Sequence, residues 1–176
     1  MSSSLIIVIV IAAVIAVIAM VAGYYLARHS RGSIKLVLPG GAYDAGGTIE
    51  GTFTMTTKKA LEGKRLFVAV IGREVTEERD GNTTRTRSRE IYRDERVIED
   101  GRTYAAGETK EYAFQLKAPD INNADSLGGM LGEALDLGLE LLSGRDERLE
   151  WRVEARLDAS GIDLADSTRI YLNSGM

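Results

Sequence analysis

Cysteine is absent from this chain, histidine and tryptophan occur once each, and only two prolines are found in 176 residues. Each shortage removes a class of chemistry. Without cysteine there is no disulfide staple, no thiol nucleophile and no thiolate metal site, and the absence fits a reducing or an oxidising compartment equally. The single histidine, His29, sits among basic residues as a solvated anchor, so a nucleophile–histidine pair is not expected elsewhere. Zinc lacks its imidazole and thiolate ligands. Carboxylates are plentiful, but Asp158, Asp163 and Asp166 lack the D-x-D-x-D-G calcium loop with its closing Glu and read as loop and turn residues. No G-x-x-x-x-G-K-S/T phosphate cradle occurs. The expectation is a non-enzymatic chain with no catalytic residue, cofactor or metal. A net charge of −4, with no aromatics among the arginines, argues against a nucleic-acid partner.

What is present begins with an apolar run. Leu5 to Ala27 carries no charge, and Leu5 to Ala22 is only Leu, Ile, Val, Ala and Met. At about 1.5 Å per residue such a helix matches a hydrocarbon core of about 30 Å. Residues 1–4 therefore read as a tail, 5–27 as a single transmembrane helix and 28–33 as a juxtamembrane linker. Met1-Ser2-Ser3-Ser4 lacks the basic start of a secretory signal. Tyr24 and Tyr25 suit the headgroup level, and Arg28, Arg31 and Lys35 follow them as membrane-interface residues. The basic flank places the N-terminus outside and the remaining domain in the cytoplasm. The sequon Asn82-Thr83-Thr84 matters only for the opposite topology. An Ile/Val/Ala-rich helix ahead of a β-domain also suits a filament subunit whose helices pack together, and self-association through this helix is a further expectation.

Residues 34–173 alternate with period two. Thr48 to Thr56 sets Ile49, Phe53 and Met55 against Glu50, Thr52 and Thr54, and Lys110 to Lys117 and Trp151 to Leu157 alternate likewise. Lys64 to Gly72 is apolar on both faces, which suits a central covered strand. Ile34 to Leu38 and Arg169 to Leu172 read as short strands near the ends. Gly- and Asp-rich turns separate these runs, so an all-β sandwich is expected. Asp125 to Gly144 departs from the pattern. It reads as an inserted amphipathic helix with Leu127, Met130, Leu131, Ala134, Leu135, Leu139 and Leu142 on one face and Glu133, Asp136 and Glu140 on the other, packing on the sandwich or on a partner.

One surface feature stands out. Arg85, Arg87 and Arg89 alternate with Thr84, Thr86 and Ser88. With Gly81-Asn82 as a two-residue turn, Glu78 faces Arg85, Thr76 faces Arg87 and Glu74 faces Arg89, a cross-strand charge ladder. One reading is a solvated hairpin whose charges prevent edge-to-edge association. The other is a partner-binding basic strip, extended by Arg93 and Arg96, that takes phosphate or acidic segments.

The order of strands resembles the first lobe of the arrestin fold, and is most like the bacterial sporulation-control arrestin relatives. The resemblance is carried by Gly46-Gly47-Thr48-Ile49-Glu50-Gly51 and by Leu66-Phe67-Val68-Ala69-Val70-Ile71-Gly72. It continues in Ala106-Gly107-Glu108 through Tyr112-Ala113-Phe114-Gln115-Leu116 and Pro119. It closes on Trp151 to Asp158 and Gly161-Ile162-Asp163-Leu164-Ala165-Asp166. It spans residues 33–173 and implies one arrestin-like lobe where the family usually has two, with the 125–144 helix as an insertion. With the apolar segment 5–27 as tether, it implies a membrane-tethered adaptor or scaffold that recruits a protein partner. The alternative is a structural subunit of a surface filament or envelope assembly.

Overall fold

The computed structural model describes residues 11–21, 30–80, 83–121 and 146–173. Eight strands follow one another: β1 (Gly32–Val37), β2 (Ala42–Asp44), β3 (Thr48–Thr57), β4 (Leu61–Asp80), β5 (Thr83–Tyr104), β6 (Thr109–Lys117), β7 (Asp146–Ala159) and β8 (Leu164–Asn173). They form a three-stranded sheet, β1-β3-β6, and a five-stranded sheet, β2-β8-β7-β4-β5. Every pairing is antiparallel except β2 with β8. The inserted helix expected at 125–144 lies outside the described residues.

Period-two alternation decides which side chains meet between the sheets. Ile34, Leu36, Ile49, Phe53, Met55, Tyr112, Phe114 and Leu116 come from the smaller sheet, and Leu66, Val68, Val70, Trp151, Val153, Leu157 and Ile170 from the larger. Phe53 anchors the slab, its ring stacked 5.0 Å from Tyr112 and tilted against Phe114 at 6.2 Å. β4 is an interior strand between β7 and β5, covered on both faces as its apolar pattern predicts, and Phe67, Ala69 and Ile71 form a second buried cluster on its other face. Arg65 lies over the Phe67 ring, 4.4 Å from its centroid.

Two sheets that share no backbone ladder must be joined by side chains at their edges. On one side the Leu36 N–H donates to the Asp166 carboxylate at 2.9 Å, which joins β1 to β8. On the other side Lys110 of β6 pairs with Glu99 of β5, and Arg96 of β5 donates to the Gln115 carbonyl of β6 at 3.1 Å.

The strand directions give the lobe two distinct ends. At one end the Lys58 and Lys59 N–H groups donate to the Arg31 carbonyl, Gly107 donates to Thr57, and the Arg31 guanidinium donates to the Ile162 carbonyl. At the other, Ala45 donates to Asn173 and Gly46 to Pro119. The chain enters β1 at the first end. Residues 11–21, which precede it, are helical, apolar and exposed throughout, Met20 to 75%. Among the described residues no helix is long and apolar enough to cross a membrane, and the expected span 5–27 lies only partly within them.

Gly72 shows how tightly the larger sheet is packed. A Cβ there would sit 2.6 Å from the Trp151 ring, which Tyr92 meets edge-on at 5.6 Å. Gly72→Ala should therefore lower stability by about 1–3 kcal/mol through overpacking. At Gly41 a Cβ would meet nothing within 4 Å. Gly41→Ala should stay within about 0.5 kcal/mol of the parent in urea denaturation followed by Trp151 fluorescence.

Candidate functional site

The charged hairpin forms in the register that the sequence predicts. Glu74 pairs with Arg89, Thr76 with Arg87, Glu78 with Arg85 and Asp80 with Thr83, leaving Gly81 and Asn82 between the strands. Beyond the row Tyr92–Gly72–Trp151–Ile170, β8 runs only three residues further, beside β2, whereas β5, β4 and β7 continue well past it. The arginine positions continue the core-facing row Leu66, Val68, Val70 and Gly72 past the point where there is a facing sheet. A strand face that emerges into solvent must be polar, and this one carries alternating cations and hydroxyl or carboxylate groups.

The five arginines do not make one strip. β5 holds two irregularities: Gly72 pairs with Tyr92 but Arg73 with Glu90, and Leu66 pairs with Glu99 but Phe67 with Val97. Ile91 and Ile98 are thus extra residues, and each reverses the side on which the following residues fall. Arg93 consequently lies on the outer face, fixed between Glu90 at 2.7 Å and Glu95 at 2.9 Å. These hydrogen bonds, that of Glu90 first, raise its already high pKa further. Arg96 returns to the core-facing side and is engaged at the sandwich edge with Gln115. Arg89 is ion-paired to Glu74 at 3.0 Å yet two-thirds exposed, and Arg85 and Arg87 are exposed. Arg85, Arg87 and Arg89 share one face, whereas Arg93 and Arg96 belong to other surroundings. A shallow groove of about 650 Å³ near Arg96 is lined by Val37, Pro39, Glu50, Thr52 and Gln115 among others.

Of the residues expected at a membrane interface, Tyr24, Tyr25 and Arg28 lie outside the described residues. Arg31 closes the entry end through Ile162, and Lys35 is exposed on the outer face of β1 opposite Thr54. The three aspartates read as turn residues have structural partners. Asp158 pairs with Arg65 at 2.8 Å, Asp163 accepts the Ala159 N–H, and Asp166 joins β1 to β8.

Sequence reasoning missed the polar cluster at the β5–β6 edge. Glu99 accepts from Lys110, from Arg102 at 3.0 Å and from the Tyr104 hydroxyl at 3.1 Å, while Arg102 also pairs with Glu108 at 2.5 Å. Arg102 stacks over Tyr104 at 3.8 Å and Lys110 over Tyr112 at 4.8 Å. These residues are scattered over 99–112 and no spacing marks them, because only the meeting of two sheet edges brings them together. Burial alone would raise the Glu99 carboxyl, but the hydrogen bonds from Lys110 and Arg102 outweigh it and hold the group at about 2. Burial, then the Glu99 charge, pushes the Tyr104 phenol well above its usual value.

A carboxyl held below its unfolded value stabilises the fold above that value, and the contribution is lost as pH falls through the folded one. Stability should therefore drop as pH falls from about 4.5 toward 2. Glu99→Gln should cost about 1–3 kcal/mol at neutral pH. In denaturant titrations across this range, the gap between parent and variant should close toward pH 2.

No family model matches the chain, and no curated protein matches it. Among solved structures, the sporulation control protein Spo0M from Bacillus subtilis is similar at 17% identity with a TM-score of 0.54. The match covers 82% of this chain and 50% of Spo0M, so the chain spans about half the length of that protein. The likeness is one of fold: the described strands between Gly32 and Asn173 form an arrestin-like β-sandwich.

Proposed function

We propose that this chain is a non-enzymatic, membrane-tethered adaptor or scaffold that presents its arrestin-like lobe to a protein partner. The tether is the apolar segment 5–27, and the lobe is placed on the cytoplasmic side by the basic residues that follow it. The observation that carries this reading is the polarity of the lobe. A helix of residues 11–21, apolar and exposed on every side, precedes the entry end, and an exposed arginine face projects from the opposite end. Such a helix in water leaves a contiguous apolar surface with no cover from the sandwich, and a bilayer supplies that cover. The arginine face fits an acidic or phosphorylated segment, because guanidinium forks bind carboxylate and phosphate in bidentate geometry. Spo0M is named for sporulation control, which is consistent with a regulatory role here and sets no pathway. The same exposed helix supports a second reading, a surface filament or envelope subunit whose helices pack on one another.

The full chain should sediment with membranes, resist high salt and dissolve in mild detergent. Lysines in place of Ile11, Ile15 and Ile18 should release it. From detergent, a partner should co-purify at fixed ratio. Replacing Arg85, Arg87 and Arg89 with Glu should reduce its recovery at least tenfold while stability changes by only about 1 kcal/mol, the scale of exposed pairs. Unaltered recovery removes the arginine face from the reading, and chain recovered in sheared extracellular material favours the filament.

A further inference from the structure

We propose that the entry end of the lobe is a lipid-headgroup contact surface in which Lys58 and Lys59, beside Arg31, bind anionic lipid and hold the hairpin pointing away from the bilayer. The proposal rests on the tethered reading and adds the orientation of the lobe.

Position is the first argument. The N–H groups of Lys58 and Lys59 both donate to the Arg31 carbonyl, at 2.8 and 3.3 Å, so this lysine pair is fixed to the point where the chain enters the lobe. Residues 22–29 are all that separate this point from the apolar helix, and fully extended they reach at most about 30 Å. Any bilayer holding that helix therefore lies close to this end.

Availability is the second. Among the described residues seven arginines of the lobe lie in ion pairs with carboxylates: Arg65, Arg89, Arg93, Arg102, Arg148, Arg156 and Arg169. Lys58 and Lys59 are exposed, and among the described residues neither makes an ion pair. Of the carboxylates at this end, Glu108 is held by Arg102 and the Ala105 N–H, and Asp163 by Arg156 and the Ala159 N–H. Glu62, Asp100 and Glu111 are exposed and make no ion pair among the described residues, against Arg31, Lys58, Lys59 and Lys64. The end therefore presents a small excess of positive charge. Lysine suits it chemically, since a hydrated ammonium meets headgroup phosphates without the desolvation that a fitted site requires.

Distance is the third. From the start of β4, Arg89 and Arg85 lie opposite Glu74 and Glu78, which at about 3.3 Å per residue places them roughly 40–55 Å up the strand. A surface potential decays over about 10 Å at 0.1 M salt. With the entry end against the bilayer, the arginine face is outside its field and open to a soluble partner.

The absence of native cysteine allows a single dye to be placed at Ala60, beside the lysines, or at Thr86, on the hairpin. The full chain is incorporated into phosphatidylcholine vesicles with or without phosphatidylglycerol, each carrying a headgroup quencher. The Ala60 dye should be quenched in the anionic vesicles far more than in the neutral ones, and the Thr86 dye in neither. Each lysine near an anionic surface is worth about fivefold in local partition, so Lys58→Glu with Lys59→Glu should lower the ratio of docked to undocked lobe about 30-fold or more. High salt should act likewise. Equal quenching in both lipids, insensitivity to the lysine substitutions, or quenching of Thr86 instead of Ala60 each overturns the proposal. A chain retained by vesicles after a salt wash but without Ala60 quenching leaves the tether standing and removes the headgroup contact. A chain not retained at all removes both.

Discussion

Two sheets of unequal length have to close over one apolar slab, and the other features of this lobe depend on that constraint. The strands of the smaller sheet run six to ten residues, whereas β4 and β5 run 20 and 22. Where sheets face each other, their inner rows are Ile, Leu, Val, Phe and Trp, and burying them is the main driving force. Where β4 and β5 outrun the smaller sheet, the same row of positions meets no facing sheet among the described residues. It changes at Gly72 from Val70 to Glu74 and Thr76, opposed by Arg89 and Arg87. The projecting hairpin is thus the part of a sandwich strand pair that extends beyond the smaller sheet.

Long, exposed edge strands invite pairing with other chains, and β5 lies at the edge of its sheet along all 22 residues. Two extra residues, Ile91 and Ile98, interrupt it, and charged side chains alternate along most of it. The same irregularities sort its arginines. Arg93 is committed to carboxylates on the outer face and Arg96 to a backbone carbonyl at the sandwich edge, while Arg85, Arg87 and Arg89 remain on the projecting face. Protection of the edge and creation of a basic face come from one stretch of sequence.

Strand polarity links this face to the apolar N-terminal segment. β1, β4, β6 and β8 run away from the entry end, and β3, β5 and β7 run toward it. A chain that enters at Arg31 and reverses between Asp80 and Thr83 necessarily holds its two most distinctive surfaces at opposite ends. One end is suited to a bilayer and the other to a soluble acidic partner, an arrangement that fits a tethered scaffold.

Much of the fold was legible in the residues. Period-two patterning identified the faces of β3, β6 and β7, the two-sided apolar run of β4 marked it as an interior strand covered on both faces, and the Gly-Asn dipeptide predicted the hairpin register to the residue. These are local properties, because alternation and turn chemistry act within a few residues of the chain. The three-residue β2 was missed, being too short to show a period. The splitting of the arginine strip was missed as well, because an extra residue in a strand is defined only by what its neighbour does. The Glu99 cluster, the Asp166 link to β1 and the lysines beside Arg31 carry no sequence signal either. They join residues far apart in the chain, and a contact of that kind exists only once two sheets have stacked and their edges lie face to face. Local patterning was enough to define the class of fold and the chemistry available on each strand. Which charges are paired within the lobe, which stand exposed on its surface, and at which end each one lies depends on how the two sheets stack.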